Sequence, residues 1–494
     1  MRTILLFGAG KSASVLIDYL IAEAPSNNWN ITIADSNLAL ILSKTGNSSF
    51  TKAVEIDIFQ TEQRQSLIAG ANIVISMIPP TLHYLIAADC LLFEKNLLTA
   101  SYVDDAIKSQ QKNIEAKGLL FLYEMGLDPG IDHMSAMKII DEIKEKGGKI
   151  NSFKSHCGGL VAPESDDNPW HYKISWNPRN VVMAGKAGAI YKLDGQEVKE
   201  DYASLFAQVR NLPFDEEIGQ LAYYPNRDSL SYSSIYGLEQ AQTFMRTTLR
   251  YPDFIFGWNN LIALKLTDET MQYDTTQLSL ADFFQQHFEK IGFDKWLDDT
   301  ISEKLLQVKN NTAAIQKIEE EEKNIVATEG NHAAAKATEL AQEKAVAKQA
   351  IGRYMKEANL IVKQLSNLGK EDSNTLINRG VCSAADILQF ALEKKWVLLP
   401  SDKDMIVMLH EFEYELAGKL YSIQSALKVI GDDSIRTAMA KTVGLPLGIA
   451  AKLILNGQIQ LKGLHIPVVK EIYTPVLKEL ENCNIRFKET LTEA

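Results

Sequence analysis

The first part of the chain alternates short apolar runs with stretches of helical periodicity. The apolar runs have the length of strands and cover residues 3–7, 30–34, 54–58, 72–78, 96–100 and 119–123. Helical patterns follow them, for example up to Ile21 and over residues 134–143. Strands that alternate with helices predict a parallel sheet covered by helices, which is an α/β fold.

The first strand runs directly into Gly8-Ala-Gly-Lys-Ser-Ala13. In a dinucleotide-binding turn the first glycine makes the tight bend, and Gly10 lets the backbone, including Ala9, approach a pyrophosphate. Ala13 lets the helix pack close to the sheet. The alternative is a glycine-rich turn in an unrelated α/β domain. Asp35 ends the second strand, where a carboxylate accepts ribose hydroxyls and repels a 2′-phosphate. The pattern therefore favours NAD over NADP, unless Asp35 merely ends a strand.

Other candidate residues follow the predicted strands at their carboxyl ends. Asp57 and Ile58 end the third strand, Ile78 ends the fourth, and Ala100, Ser101 and Tyr102 follow the fifth. Each of these could be ordinary strand punctuation. Because the carboxyl ends of parallel strands meet at one edge of the sheet, their shared position predicts a binding edge.

The segment Glu124-Met-Gly-Leu-Asp-Pro-Gly-Ile-Asp-His133 joins a predicted strand to a predicted helix. Pro129 and Gly130 are expected to fix the turn, and Asp132 to cap the helix. Asp128 and His133 are then placed to face a substrate. The alternative is a stiff connection with a capping aspartate.

Beyond Gly148 the strand signals become irregular, at residues 153–157, 188–193 and 221–224, with a tight turn predicted over residues 157–160 and a polar loop over 163–169. Arg227 follows an aromatic strand end, and Arg246 and Arg250 lie close together. Surface arginines usually only interact with solvent. An anionic substrate, however, needs guanidinium groups that bind carboxylates through two hydrogen bonds.

Residues 281–395 are rich in Ala, Glu, Lys and Gln. This composition predicts a helical insertion, part of it a long hairpin with solvated charges, and the alternative is a partner-binding helix. Strand signals return at residues 405–408 and 412–416 beside a turn at Ala417-Gly418. A buried helix is predicted over 438–456, interrupted near Gly444-Leu-Pro446.

Composition narrows the function classes. The chain has 494 residues, enough for about three domains. A net charge of -12 argues against nucleic acid or an anionic membrane as partner. No charged-then-apolar leader follows Met1 and no apolar run is long enough to cross a bilayer, so a cytoplasmic location is expected. Cys90, Cys157, Cys382 and Cys483 form no CxxC pair, and no metal site is predicted.

Several motifs together resemble the glutamate-forming saccharopine dehydrogenases, also called saccharopine reductases. They are Gly126-Leu-Asp-Pro-Gly-Ile-Asp-His133, Cys157-Gly-Gly159, Ala162-Pro-Glu164, Asp167-Asn-Pro169, Tyr172-Lys173, Ser175-Trp176, Tyr224-Pro-Asn-Arg-Asp-Ser229, Thr248-Leu-Arg-Tyr251, Met439-Ala-Lys-Thr-Val-Gly-Leu-Pro446 and Leu455-Asn-Gly457. The similarity covers the chain except the middle of the helical insertion, around residues 311–348.

The resemblance implies a Rossmann-like dinucleotide-binding domain (1–126 and 434–494), a second α/β domain for substrate and dimerisation (127–262 and 402–433), and an inserted all-helical domain (263–401). It implies cofactor contacts at Ala9, Gly10, Asp35, Asp57, Ile58, Ile78, Ala100, Leu127, Asp128 and Pro129. It implies saccharopine contacts at Ser101, Tyr102, Arg227, Thr248, Leu249 and Arg250. Asp35 departs from the fungal NADP form, where an arginine lies near this point.

The implied reaction is reversible, NAD-dependent oxidation of L-saccharopine to L-glutamate and L-2-aminoadipate 6-semialdehyde in lysine metabolism, by a homodimer without metal. Asp128, Tyr102, His133 and Cys157 are candidate proton acceptors among which the sequence does not choose. The rival functions are a lysine 6-dehydrogenase, a carboxynorspermidine synthase, or a non-catalytic scaffold that senses NAD.

Overall fold

The computed structural model describes residues 1–325 and 331–493. The strands of these residues are, in chain order, β1 Arg2–Phe7, β2 Trp29–Asp35, β3 Thr51–Glu55, β4 Ile73–Ser76, β5 Asn96–Thr99, β6 Leu120–Leu122, β7 Lys149–Val161, β8 Ala189–Leu193, β9 Gln196–Glu200, β10 Arg210–Pro213, β11 Gln220–Pro225, β12 Arg227–Asp228, β13 Thr243–Arg250, β14 Gln272–Asp274, β15 Val381–Ser383, β16 Asp404–Leu416, β17 Lys419–Ile430, β18 Gly463–His465 and β19 Lys488–Glu493.

The α-helices of the same residues are α1 Ser14–Asn27, α2 Leu38–Thr45, α3 Thr61–Ala69, α4 His83–Leu92, α5 Asp105–Ser109, α6 Gln111–Ala116, α7 Ile131–Glu145, α8 Pro178–Val182, α9 Tyr202–Leu205, α10 Pro252–Ala263, α11 Leu280–Ile291, α12 Phe293–Ile325, α13 Asn331–Asn367, α14 Ala384–Lys395, α15 Ala438–Leu455 and α16 Lys470–Asn482.

The amino-terminal sheet has seven parallel strands in the order β18-β6-β5-β4-β1-β2-β3. Its central strands read as continuous apolar runs because helices cover both faces. This confirms the predicted Rossmann-like architecture. One boundary differs, since β3 ends at Glu55. Asp57 and Ile58 lie in the following turn, where the Asp57 carboxylate accepts a hydrogen bond from the Phe59 amide at 3.0 Å.

The second sheet is mixed and has ten strands, with β10-β11-β13-β7-β16-β17-β19 in order; β8 pairs with β13, and β9 and β12 pair with β8. Residues 157–160 are part of β7, so the predicted tight turn is wrong. The two glycines serve close packing instead. A Cβ on Gly158 would lie 2.5 Å from the Leu249 carbonyl oxygen.

The insertion between α10 and β16 consists of α11 to α14 and a small antiparallel pair, β14 and β15. The long helices α12 and α13 pack against each other and form the predicted hairpin. The two-stranded pair is a difference from the expected all-helical insertion. Residues 326–330 of the predicted extension lie outside the described residues.

Helix α15 is continuous, so the interruption predicted near Pro446 is wrong. A proline removes only one backbone donor, and close packing of Gly444 and Gly448 against α1 supports the helix here. Among the described residues α15 alone is long and apolar enough to cross a membrane, and 72% of it is buried inside the protein.

The last part of the chain contributes to both large sheets. β18 extends the amino-terminal sheet beside β6, and β19 extends the mixed sheet beside β17. Residues 434–494 are predicted to return to the first domain. The strand β19 lies within this range but belongs to the mixed sheet. We retain the three-domain division as a proposal.

Candidate functional site

The glycine-rich turn after β1 and the end of β2 meet at the carboxyl edge of the parallel sheet. The Ala9 amide donates to Asp35 Oδ2 at 2.7 Å, and the Asn37 amide donates to Asp35 Oδ1 at 2.9 Å. Lys44 Nζ donates to the Gly10 carbonyl oxygen at 2.5 Å. Burial lowers the pKa of Lys44 to about 8. The edge therefore holds both a carboxylate and an ammonium group.

This edge fits the adenosine half of a nicotinamide dinucleotide. A Cβ added to Gly10 would meet no atom within 4 Å, so open space lies above the turn where a pyrophosphate approaches. Each Asp35 oxygen keeps a lone pair for a ribose hydroxyl. Ile78 and Ala100 follow β4 and β5 at the same edge, where the Ile78 backbone lies against Gly8 and Ala100 lies against Gly126.

The 124–133 segment is a buried, tightly built loop. The Asp128–Pro129 peptide bond is cis, and Gly130 has a φ of 146°. A Cβ on Gly130 would lie 2.1 Å from the Gly126 carbonyl oxygen, so the turn requires glycine there. Gly130 itself is the N-cap of α7, so the prediction that Asp132 caps it is wrong. The Asp132 carboxylate lies within the first turn and accepts from the Gly130 amide at 2.6 Å.

Two aspartates of this loop share one buried arginine. Arg246 Nη2 on β13 lies 2.6 Å from Asp128 Oδ1 and 2.7 Å from Asp132 Oδ2. Burial raises the pKa of Asp128 to about 6, although Arg246 opposes the rise. Burial also disfavours the Asp132 carboxylate, but His133 and Arg246 hold its pKa below the usual value. The two carboxylates therefore differ, as an acid–base pair requires.

Glu124 is a functional candidate that the sequence argument did not single out. Its Oε1 accepts from the Val103 amide at 3.1 Å. Its Oε2 lies 2.9 Å from His133 Nε2 and 3.1 Å from the Tyr232 hydroxyl. His133 Nδ1 is 2.5 Å from the Tyr236 hydroxyl, and the His133 ring is fully buried. The signal in the sequence is the presence of three carboxylates within ten residues. The sequence does not show which groups contact Glu124.

Ser101 and Tyr102 lie just beyond β5. Ser101 Oγ is 2.7 Å from His83 Nε2, and His83 Nδ1 is 2.8 Å from Ser76 Oγ. Burial lowers the pKa of His83 to about 4, so this histidine is neutral and fixes the serine. The sequence argument missed His83. Burial raises the pKa of Tyr102, chiefly through loss of solvent, so its phenol keeps its proton.

Arg227 and Arg250 differ in their surroundings. Arg227 is exposed, and its guanidinium lies 5.3 Å from the centre of the Tyr102 ring. Arg250 is only 4% exposed. Its Nη1 donates to the Leu249 carbonyl oxygen at 2.7 Å, and its Nε has no hydrogen-bond partner. Neither arginine forms an ion pair with another residue of the described chain.

Side chains alternate between the two faces of β13, and this alternation separates the remaining predicted substrate contacts. Arg246, Thr248 and Arg250 share one face of β13. The Leu249 side chain lies on the other face, in an apolar cluster with Leu160 and Leu221. Its backbone carbonyl, not its side chain, reaches Arg250. Leu127 and Pro129 belong to the buried loop described above.

Cys157 pairs with Thr248 across the strands. Burial raises the pKa of its thiol well above the ordinary value, and the nearby Asp128 and Asp132 act in the same direction. The thiol is therefore neutral. Within the described residues, no group of three or more His, Cys, Asp or Glu side chains is placed to hold a metal ion.

Comparison with known proteins follows the same division of the chain. The family model described as "Saccharopine dehydrogenase NADP binding domain" matches residues 4–122, and the one described as "Saccharopine dehydrogenase C-terminal domain" matches residues 126–485. The chain belongs to the saccharopine dehydrogenase family. This confirms the resemblance drawn from the motifs.

Relatives of this saccharopine dehydrogenase family member differ in length. The chain is 32% identical to bovine mitochondrial alpha-aminoadipic semialdehyde synthase over 98% of this chain and 47% of that protein. It spans about half the length of this and the similar rat, mouse and Arabidopsis relatives. It is 30% identical to the "Saccharopine dehydrogenase [NADP(+), L-glutamate-forming]" of Saccharomyces cerevisiae over 97% of each chain.

The solved structure of an apo, L-Glu-forming saccharopine dehydrogenase from Saccharomyces cerevisiae has the same fold. It superposes with a TM-score of 0.79 over the full length of both chains, at 28% identity. The fold class expected from the sequence is thus confirmed over the whole chain.

Proposed function

We propose that this family member oxidises L-saccharopine to L-glutamate and L-2-aminoadipate 6-semialdehyde, with NAD as hydride acceptor and water as co-substrate. The observation that carries the proposal is Arg250, a buried guanidinium without a carboxylate partner among the described residues. It lies on the same sheet face as Arg246, which holds Asp128. An unpaired buried cation is costly, and a substrate carboxylate would offset that cost.

Two of the three carboxylates of saccharopine match the available cations. We assign one carboxylate to Arg250 and one to the exposed Arg227, whose guanidinium faces Tyr102. Ser101, fixed by His83, is placed to donate a further hydrogen bond. Arg246 is excluded from this role, since Asp128 and Asp132 already neutralise it. The substrate would then lie between the segment after β5 that carries Tyr102 and the end of β13 that carries Arg250.

Asp128 is our candidate for the proton acceptor. Its pKa, raised to about 6 by burial, suits a base that works near neutral pH. The other candidates are less suited. Tyr102 and Cys157 hold their protons because burial raises the pKa of each. Both ring nitrogens of His133 already have partners, Glu124 and Tyr236, and the ring stacks on Tyr232. We therefore assign His133 to positioning.

A bound NAD would supply the acceptor for a hydride from the lysine-derived carbon next to the secondary amine. Asp128 would accept the amine proton, return it to the nitrogen of the resulting imine, and then accept a proton from the water that attacks the imine carbon. The bond between nitrogen and that carbon breaks, which gives glutamate and the semialdehyde. Arg227 and Arg250 would hold the substrate through this sequence.

Asp35 supports NAD as the cofactor, because a 2′-phosphate would approach a carboxylate. The yeast relatives and the amino-terminal family model carry NADP in their names. The assay therefore compares the two dinucleotides directly. A homodimer, a cytoplasmic location and the absence of nucleic-acid or membrane partners also remain proposals.

The test is an assay of purified protein with saccharopine and either NAD or NADP, following reduced cofactor and glutamate. We expect equal amounts of both products and a higher kcat/KM with NAD. Lysine or carboxynorspermidine as the better substrate would indicate one of the related amine dehydrogenases. Cofactor binding without turnover of any of these amines would indicate the NAD-sensing scaffold. Either result would overturn the proposal.

A further inference from the structure

Glu124 connects three chain segments whose relative positions matter for the proposed reaction. Its backbone amide donates to the Ser101 carbonyl oxygen at 3.0 Å, and its side chain accepts from the Val103 amide at 3.1 Å. Together these bonds hold Tyr102 on both sides. The same carboxylate contacts His133 at the start of α7 and Tyr232 in the segment after Arg227.

The contacts of Glu124 extend to the proposed base. His133 stacks on Tyr232 with ring centres 5.1 Å apart, and the Arg246 guanidinium lies 4.4 Å from the centre of the Tyr232 ring. Arg246 in turn holds Asp128. A change at Glu124 can therefore reach the base through packed groups, without contact between Glu124 and the reacting atoms.

The backbone at Glu124 is itself unusual. Glu124 has a φ of 57°, in the left-handed region that non-glycine residues rarely adopt, and it is 3% exposed. A buried residue keeps such a conformation only when its surroundings fix it. The four hydrogen bonds described above supply that constraint. A glycine or asparagine would satisfy the backbone at lower cost, so the carboxylate has a role of its own.

We propose that Glu124 is a positioning residue for saccharopine, which aligns the 101–103 segment, the Asp128 loop and the segment carrying Arg227 and Tyr232. The inference rests on the proposed function. It goes beyond that function in assigning substrate alignment to a residue outside the expected contact set. The cofactor turn after β1 and Asp35 share none of these bonds, so the affinity for the adenosine half of the dinucleotide should not depend on Glu124.

The experiment compares Glu124→Ala, Glu124→Gln and a control, Asp89→Asn. Asp89 is also a buried carboxylate with two side-chain donors, Arg64 and Gln65, but lies on the outer helices of the first sheet. We expect Glu124→Ala to lower kcat/KM for saccharopine at least about tenfold and to leave the affinity for ADP-ribose, which carries the adenosine half of the cofactor, within about twofold. Glu124→Gln should recover part of the loss, since its amide oxygen still accepts from Val103. Asp89→Asn should lose stability without this kinetic change.

A second arm covers poor folding of Glu124→Ala. Tyr232→Phe removes one hydroxyl that donates to Glu124, and it should cost less in a Glu124→Gln background than in the wild type. Additive effects of the two changes would overturn the proposal. So would a folded Glu124→Ala protein with unchanged kcat/KM, or one that loses ADP-ribose and saccharopine affinity equally.

A third measurement separates this inference from the proposed function. The Val103 amide should exchange hydrogen faster in Glu124→Ala than in the wild type, and at an intermediate rate in Glu124→Gln, whatever the substrate. If wild-type protein fails to oxidise saccharopine but the Val103 effect is present, the function is wrong and the alignment of the segment stands. An unchanged Val103 exchange rate would refute the alignment itself.

Discussion

Replacement of Arg250 by methionine should separate substrate binding from stability. Methionine keeps an apolar stem against the rings of Tyr172 and Phe254, whose centres lie 5.2 and 5.4 Å from the guanidinium. The change removes the positive charge and the hydrogen bond to the Leu249 carbonyl oxygen. Because Arg250 has no carboxylate partner among the described residues, no opposite charge is left uncompensated.

The magnitudes follow from this arrangement. A charge-assisted hydrogen bond to a substrate carboxylate contributes about 1.5 to 3 kcal/mol, so kcat/KM for saccharopine should fall about 10- to 150-fold. The free energy of unfolding should change by no more than about 1 kcal/mol, since the lost hydrogen bond is offset by removal of a desolvated charge.

Arg246→Met is the matched comparison on the same strand. It leaves Asp128 and Asp132 buried without their cation, and should cost about 3 to 5 kcal/mol of stability. The assays are denaturant unfolding and initial rates at varied saccharopine and varied NAD. Arg250→Lys should restore part of the rate, because an ammonium supplies charge without the planar fork. A stable Arg250→Met protein with unchanged KM for saccharopine, or one that unfolds as easily as Arg246→Met, would refute the reasoning.

Three further predictions concern charge. Asp35→Ala should raise the ratio of NADPH affinity to NADH affinity in titrations, because the carboxylate that repels the 2′-phosphate is removed. Adding Lys44→Met should reverse much of that gain. Equal affinity of the wild type for both dinucleotides would contradict this role of Asp35. The value of kcat/KM should fall as pH drops through about 6, where Asp128 becomes protonated. Asp128→Asn should lower kcat/KM about 10²- to 10⁴-fold. A kcat/KM that does not change with pH in this range would exclude Asp128 as the base. Hydrogen bonds to Asp166 and Asp253 raise the pKa of His171 from 6.5 to about 9, so its stabilising contribution is complete below 6.5 and lost as pH rises through 9. The gap in thermal midpoint between wild type and His171→Gln should close accordingly, and a gap that persists above about pH 10 would contradict this assignment.

The parts of the site that lie close together in sequence were predictable. The turn Gly8–Ala13 and Asp35 are joined by one βαβ unit, and local pattern is enough to place them. The 124–133 loop was visible from its composition alone. Its partners were not, because Tyr232, Tyr236 and Arg246 come from more than a hundred residues further on. That proximity depends on the pairing of β13 with β7, which no local signal specifies.

The errors have a common physical origin. Glycine at 158 and 159 and proline at 446 are strong local signals for a turn or a break. In the folded chain, packing outweighs these local signals. The backbone of β13 lies against Gly158, and α15, which contains Pro446, packs closely against α1. Asp132 was assigned as a cap because it precedes an apolar run, whereas Gly130 alone fits the backbone at that point.

The placement of β18 and β19 has a consequence for synthesis of the protein. The edge of the amino-terminal sheet next to β6 stays open until residues 463–465 arrive, after the helical hairpin and every strand of the mixed sheet except β19 have been translated. Contacts this distant in sequence slow folding, and an unpaired edge invites association with other chains. A nascent chain stalled before β18 would thus present the exposed flank of a nearly finished nucleotide fold to chaperones.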